Sequence, residues 1–262
     1  MTSAGSRQSE EFPGTPWRPA AVSRDEYAAS AGFPEYVRGL AGDTPSGPNP
    51  NLPGFTNEGG LLGRGVCWWH SRLTRAALYL AYFEPGLPGP DGAGARRALS
   101  ALMRCERVVA IPGYLCFRDF SMDHRHVVQR FLEQMQIHDG LFRFAWVDGL
   151  SGGSSLPPGR LAALMDSIYE SNERDGLSYV KLQVPGWDAH AWIITEMKRT
   201  VDGGYLVRYL DSNSTSSASC RFVPGDARVG GRGVPWLQRT RELRKIRKAI
   251  EDFRRGRPAF RP

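Results

Sequence analysis

The chain has 262 residues, 41% of them hydrophobic and 23% charged, and a net charge of +7. That length allows one large domain or two small ones with a sizeable core. It holds no run approaching the ~18 apolar residues of a membrane span. The opening MTSAGSRQSEEFPG lacks a basic stretch followed by an apolar one. The expected location is therefore the cytoplasm, or export without a classical signal peptide.

Residues 1–50 are rich in Pro, Gly, Ser and Ala, which predicts a poorly ordered or loosely docked segment. The next segment, GRGVCWWHSRLTRAALYLAYF from Gly63 to Phe83, predicts a helix headed by Cys67. It is apolar nearly all round, as a helix buried at the centre of a domain is. EPGLPGPDGAGA then reads as a loop. A short helix is expected at Arg96–Arg104 and an extended stretch around VVAIPGYLCF, followed by a helix capped by Ser121. LFRFAW alternates as a strand does, and Pro157 and Pro158 open the amphipathic helix RLAALMDSIYESNER.

From Ser178 the texture becomes β-rich: SYVKLQV, HAWIITEMKRT and YLVRYL, with VDGG as a hairpin turn. Helices leading into an antiparallel sheet predict an α+β fold. Residues 51–222 are assigned to that domain and 223–262 to a basic C-terminal helix and tail. Ten Lys/Arg against three Asp/Glu from Arg239 onward account for the whole net charge. Leu243, Ile246, Ile250 and Phe253 form an apolar stripe there. That pattern fits a helix docked on the body, or one whose basic face grips an acidic partner. No nucleic-acid motif accompanies it.

The four cysteines, Cys67, Cys105, Cys116 and Cys220, have no Cys-x-x-Cys spacing and read as free thiols. Cys67 differs from the others in its place. At a helix N-terminus the free N–H groups and the positive dipole end stabilise a thiolate. They also offer donors to the oxyanion of a tetrahedral intermediate. His190 opens one strand and Asp211 closes its hairpin partner, which suits a base and its orienting carboxylate. A symmetric turn at Asp202-Gly203 leaves His190 a few residues beyond Asp211, so a bulge or a longer loop is required. Asn213 is a rival orienter, and His70, three residues after Cys67, a rival base. Asp123, His124, His126, His138 and Asp139 lack metal-ligand spacing. Neither a metal nor a cofactor is expected.

GVCWWH, DAHAW and RYLDSN, in that order, resemble the Cys…His…Asp/Asn sequence of the papain-like cysteine peptidase superfamily. HAW with a strand-terminal Asp is also similar to its transglutaminase-like branch. The resemblance implies a papain-like fold and a thiol-dependent hydrolase of amide bonds, a cysteine peptidase or amidase acting on a protein or peptide. It assigns Cys67 as nucleophile, His190 as base and Asp211 as orienter. Leu61 stands where such peptidases carry an oxyanion-hole Gln, and Asn57 is the nearest amide that could substitute. Trp68, Trp187 and Trp192 are candidates to line the cleft. The alternatives are a protein-glutamine deamidase, a transglutaminase-like acyl transferase, or a non-catalytic binding protein using the basic helix. An effector or toxin fits as well as a housekeeping amidase.

Overall fold

A computed structural model of the chain describes residues 15–31, 34–56, 66–138, 155–184, 189–214 and 216–262. The architecture is α+β. The described helices are α1 (Arg24–Ser30), α2 (Pro34–Ala41), α3 (Cys67–Leu80), α4 (Gly92–Arg104), α5 (Phe117–Asp123), α6 (Arg125–Ile137), α7 (Pro158–Asp175) and α8 (Thr240–Arg254). The strands are β1 (Ala81–Glu84), β2 (Val109–Pro112), β3 (Ser178–Gln183), β4 (Ala189–Arg199), β5 (Tyr205–Asp211), β6 (Ser217–Phe222) and β7 (Val234–Leu237). The last five form one antiparallel sheet in the order β6-β5-β4-β3-β7, while β1 and β2 pair in parallel. No described helix is long and apolar enough to cross a membrane.

Alternation along β4 divides the core in two, because successive strand side chains point to opposite faces. Ala191 and Ile193 join the cluster around α3, and Trp192 and Ile194 join a second cluster with Leu161, Met165 and Ile168 of α7. Helix α3 is therefore buried on nearly every side, the environment its all-round apolar sequence demands. It ends at Leu80, three residues short of the expected Phe83, because Ala81 turns extended and starts β1.

Residues 1–50 require correction where they are described. Tyr27 of α1 is fully buried, with its hydroxyl donating to the Tyr79 carbonyl at 2.6 Å. Tyr36, Val37 and Leu40 of α2 join the α3 core. Helices of 7 and 8 residues are too short to be stable in isolation, and packing against α3 supplies what their composition does not. Ser121 is likewise no cap. It lies inside α5, and its hydroxyl accepts from the Gly54 N–H at 2.8 Å. LFRFAW lies outside the described residues.

Helix α8 is docked. Leu243, Ile246, Ala249, Ile250 and Phe253 are buried against the α3 core. Each large apolar side chain so buried contributes about 1.5–3 kcal/mol, so the stripe outweighs any exposed ion pair on the opposite face.

Candidate active site

The N-terminus of α3 carries Cys67, which is buried. Val66 occupies the cap position and no side chain there bonds the first turn, so side-chain capping leaves the leading N–H groups available. His190 is the second residue of β4 and Asp211 the last of β5. His190 Nε2 lies 2.5 Å from Asp211 Oδ1, and Cys67 is near enough to the ring to raise its pKa. With Nε2 held by the carboxylate, Nδ1 is the nitrogen left for the thiol.

A one-residue irregularity sets up that pairing. From Arg199↔Tyr205 to Glu196↔Arg208 the ladder runs in one register, and from Ile194↔Tyr209 to Trp192↔Asp211 it is offset by one. Thr195 is the residue left over, a β-bulge. Without it Asp211 would stand opposite Ile193, and His190 would point to the other face. With it Asp211 stands opposite Trp192, and His190, two residues away, shares its face within diagonal reach.

Electrostatics follow the geometry. Burial alone would lower the His190 pKa, but the hydrogen bond to Asp211 and the nearby Cys67 raise it to about 9. Asp211 is held below its ordinary value. Burial works against this, and the His190 hydrogen bond and the Asn213 backbone N–H, 2.8 Å from Oδ1, prevail. Asn213 thus supports Asp211 through its main chain. At neutral pH the site presents an imidazolium beside Cys67. Burial pushes Cys105, Cys116 and Cys220 up to about 11.

His70 is drawn away from Cys67. Its Nε2 is 3.3 Å from the Phe55 carbonyl, and burial lowers its pKa to about 4. Together with Leu52, Phe55, Ser71, Asp211 and Ser212 it lines a hollow of about 20 Å³ behind the carboxylate. A neutral ring there can pack but cannot share a charge with the thiol.

The tryptophans divide. Trp68 is half-buried and packs on Tyr179, with ring centroids 5.0 Å apart. Trp192 is corrected from cleft wall to core: it is 1% exposed and stacked on Tyr209 at 3.8 Å. Asn57 and Trp187 lie outside the described residues. Tyr179 escapes a reading by motif, because a tyrosine in a β-rich run is ordinary. Its hydroxyl donates to the Trp68 carbonyl at 2.7 Å, one residue from Cys67. Among the described residues no group of three His, Cys, Asp or Glu is arranged to hold a metal.

No family model, curated protein or solved structure matches the chain. The reading of the site rests on its own chemistry.

Proposed function

We propose that the chain is a thiol-dependent hydrolase of amide bonds with a papain-like arrangement, a cysteine peptidase or amidase. The observation that carries this is one imidazole hydrogen-bonded to a carboxylate and set near a cysteine at a helix head. In this reading Cys67 Sγ attacks the amide carbonyl carbon, and the C=O electron pair moves onto oxygen. The free N–H groups of the first turn of α3 face that oxyanion, with Asn57 as a further donor. The His190 imidazolium gives its proton to the amine as the C–N bond breaks, leaving a thioester and neutral imidazole. Water attacks the thioester while His190 takes its proton, the acid leaves, and thiolate and imidazolium are restored. Asp211 holds the ring and favours its cationic form. An amine in place of water makes the same machinery an acyl transferase, and a glutamine side chain as substrate makes it a deamidase.

Site-resolved thiol labelling tests the reading. Limiting iodoacetamide is applied from about pH 5 to about pH 9, the range over which a perturbed thiol departs from a free one. All four cysteines are followed by peptide mass spectrometry, with His190→Ala in parallel. Cys67 is expected to label fastest, remain reactive at the acid end, and lose that advantage without His190. A Cys67 as inert as Cys105 would end the proposal.

A further inference from the structure

The underside of α3 carries two arginines that a buried helix does not need for packing. Arg75 is 0% exposed and Arg72 9%. Both grip one carboxylate from the docked C-terminal helix: Arg72 Nη2 lies 2.5 Å from Glu242 Oε1, and Arg75 Nη2 2.6 Å from Glu242 Oε2. Well-packed hydrophobic residues usually hold a core as well as such a network or better, because desolvating the charges cancels much of their attraction. What the network adds is direction. A carboxylate shared by two forked guanidiniums fixes one placement of each.

That placement leads toward the nucleophile. The Arg75 guanidinium lies 4.8 Å from the Tyr179 ring centroid. Tyr179 donates its hydroxyl to the Trp68 carbonyl and packs against the Trp68 ring. Burial raises the Tyr179 pKa well above its ordinary value, Arg75 opposes this and the nearby Cys67 adds to it, so the hydroxyl remains a donor. The same stretch of chain is pinned a second time where the Gln238 N–H donates to the Tyr179 carbonyl at 2.9 Å.

We infer that Tyr179 is a positioning residue for Cys67, and that Glu242 of the C-terminal helix holds it in place through Arg75. The basic helix then serves the site by its one buried acidic residue, not by its exposed charge. The inference rests on the thiol-hydrolase reading, because it concerns the placement of that nucleophile.

The test is Tyr179→Phe, which keeps the ring and removes the single hydrogen bond to Trp68. The Cys67 alkylation rate at neutral pH is expected to fall about tenfold or more, as misplaced reacting groups do, and its pH profile to shift, with Tm lower by only a few degrees. Phe253→Ala, on the apolar stripe of the same helix, supplies the stability control. It should lower Tm at least as far while leaving the Cys67 pH profile unchanged. If Tyr179→Phe is folded with the wild-type rate and profile, while His190→Ala still silences Cys67, this inference falls and the site reading stands. If His190→Ala leaves Cys67 unaltered, both fall together. Glu242→Gln, where it folds, should reproduce the Tyr179→Phe profile.

Discussion

Trp192 stands directly opposite Asp211 across the β4–β5 ladder, one residue out of the register that the hairpin turn begins with. The bulged Thr195 makes the difference. Because a strand alternates faces, the shift decides whether His190 and Asp211 share a face or are separated by the sheet.

Deleting Thr195 removes the unpaired residue and leaves Ile194 opposite Tyr209 and Trp192 opposite Asp211, so the His190–Asp211 pair should survive. Deleting Ile194 and Thr195 together brings Asp211 opposite Ala191, and His190 then lies on the other face. The proposed amide hydrolysis should persist in the single deletion and fall about a hundredfold or more in the double one. Far-UV circular dichroism should still report the sheet in both, and equal activity in two folded variants would mean the register does not set the pair.

Asp211→Asn separates orientation from charge. The amide oxygen still accepts from Nε2–H, but the negative charge that helps hold the His190 pKa at about 9 is gone. The basic limb of the rate–pH profile should move down by roughly one to two pH units, with activity partly kept near pH 6. An unmoved basic limb would contradict the role given to the carboxylate.

The same shift has a consequence for stability. The folded His190 pKa of about 9 lies above its ordinary value of 6.5. Its protonation therefore stabilises the fold fully below about pH 6.5, and this contribution is lost as pH rises through about 9. For Asp211, lowered on folding, the contribution is present above its unfolded pKa and lost on acidification through the folded one. Melting wild type and His190→Ala in parallel should show a Tm gap that narrows between pH 6.5 and 9. A constant gap across that window would refute the linkage.

Truncation after Gln238 distinguishes a docked helix from a gripping one. It strips Leu243, Ile246, Ala249, Ile250 and Phe253 from the α3 core and leaves Arg72 and Arg75 without Glu242. Uncovering a buried charge costs about 3–5 kcal/mol, a large share of a domain's stability. The expected product is unfolded or aggregating. A well-folded truncate with wild-type Tm would restore the binding-arm reading of the tail.

Much of this was legible because the signals were local. The turn at Thr200–Gly204 and the alternation of YLVRYL located the hairpin, and the apolar girth of Cys67–Leu80 announced a central helix. The need for a bulge or a longer loop was legible, but the place of the bulge was not. In AWIITEM the apolar residues run together, so no alternation marks where Thr195 drops out of step. Nor were α1 and α2, whose few apolar residues become informative only when Tyr27 meets Tyr79 and Val37 meets the core. Strands β6 and β7 were missed for opposite reasons: SASCRF is too polar to look buried, and VPWL carries a proline tolerated only at the edge position it occupies.

The Arg72–Glu242–Arg75 network joins residues 167 positions apart in the chain at its shorter link, and that separation has a consequence during synthesis. While the ribosome has not yet released α8, the central helix carries two guanidiniums with no buried counter-charge. Burying it then is expensive, and long-range closure is slow in any case. The central helix thus gains its buried counter-charge only once α8 has been made.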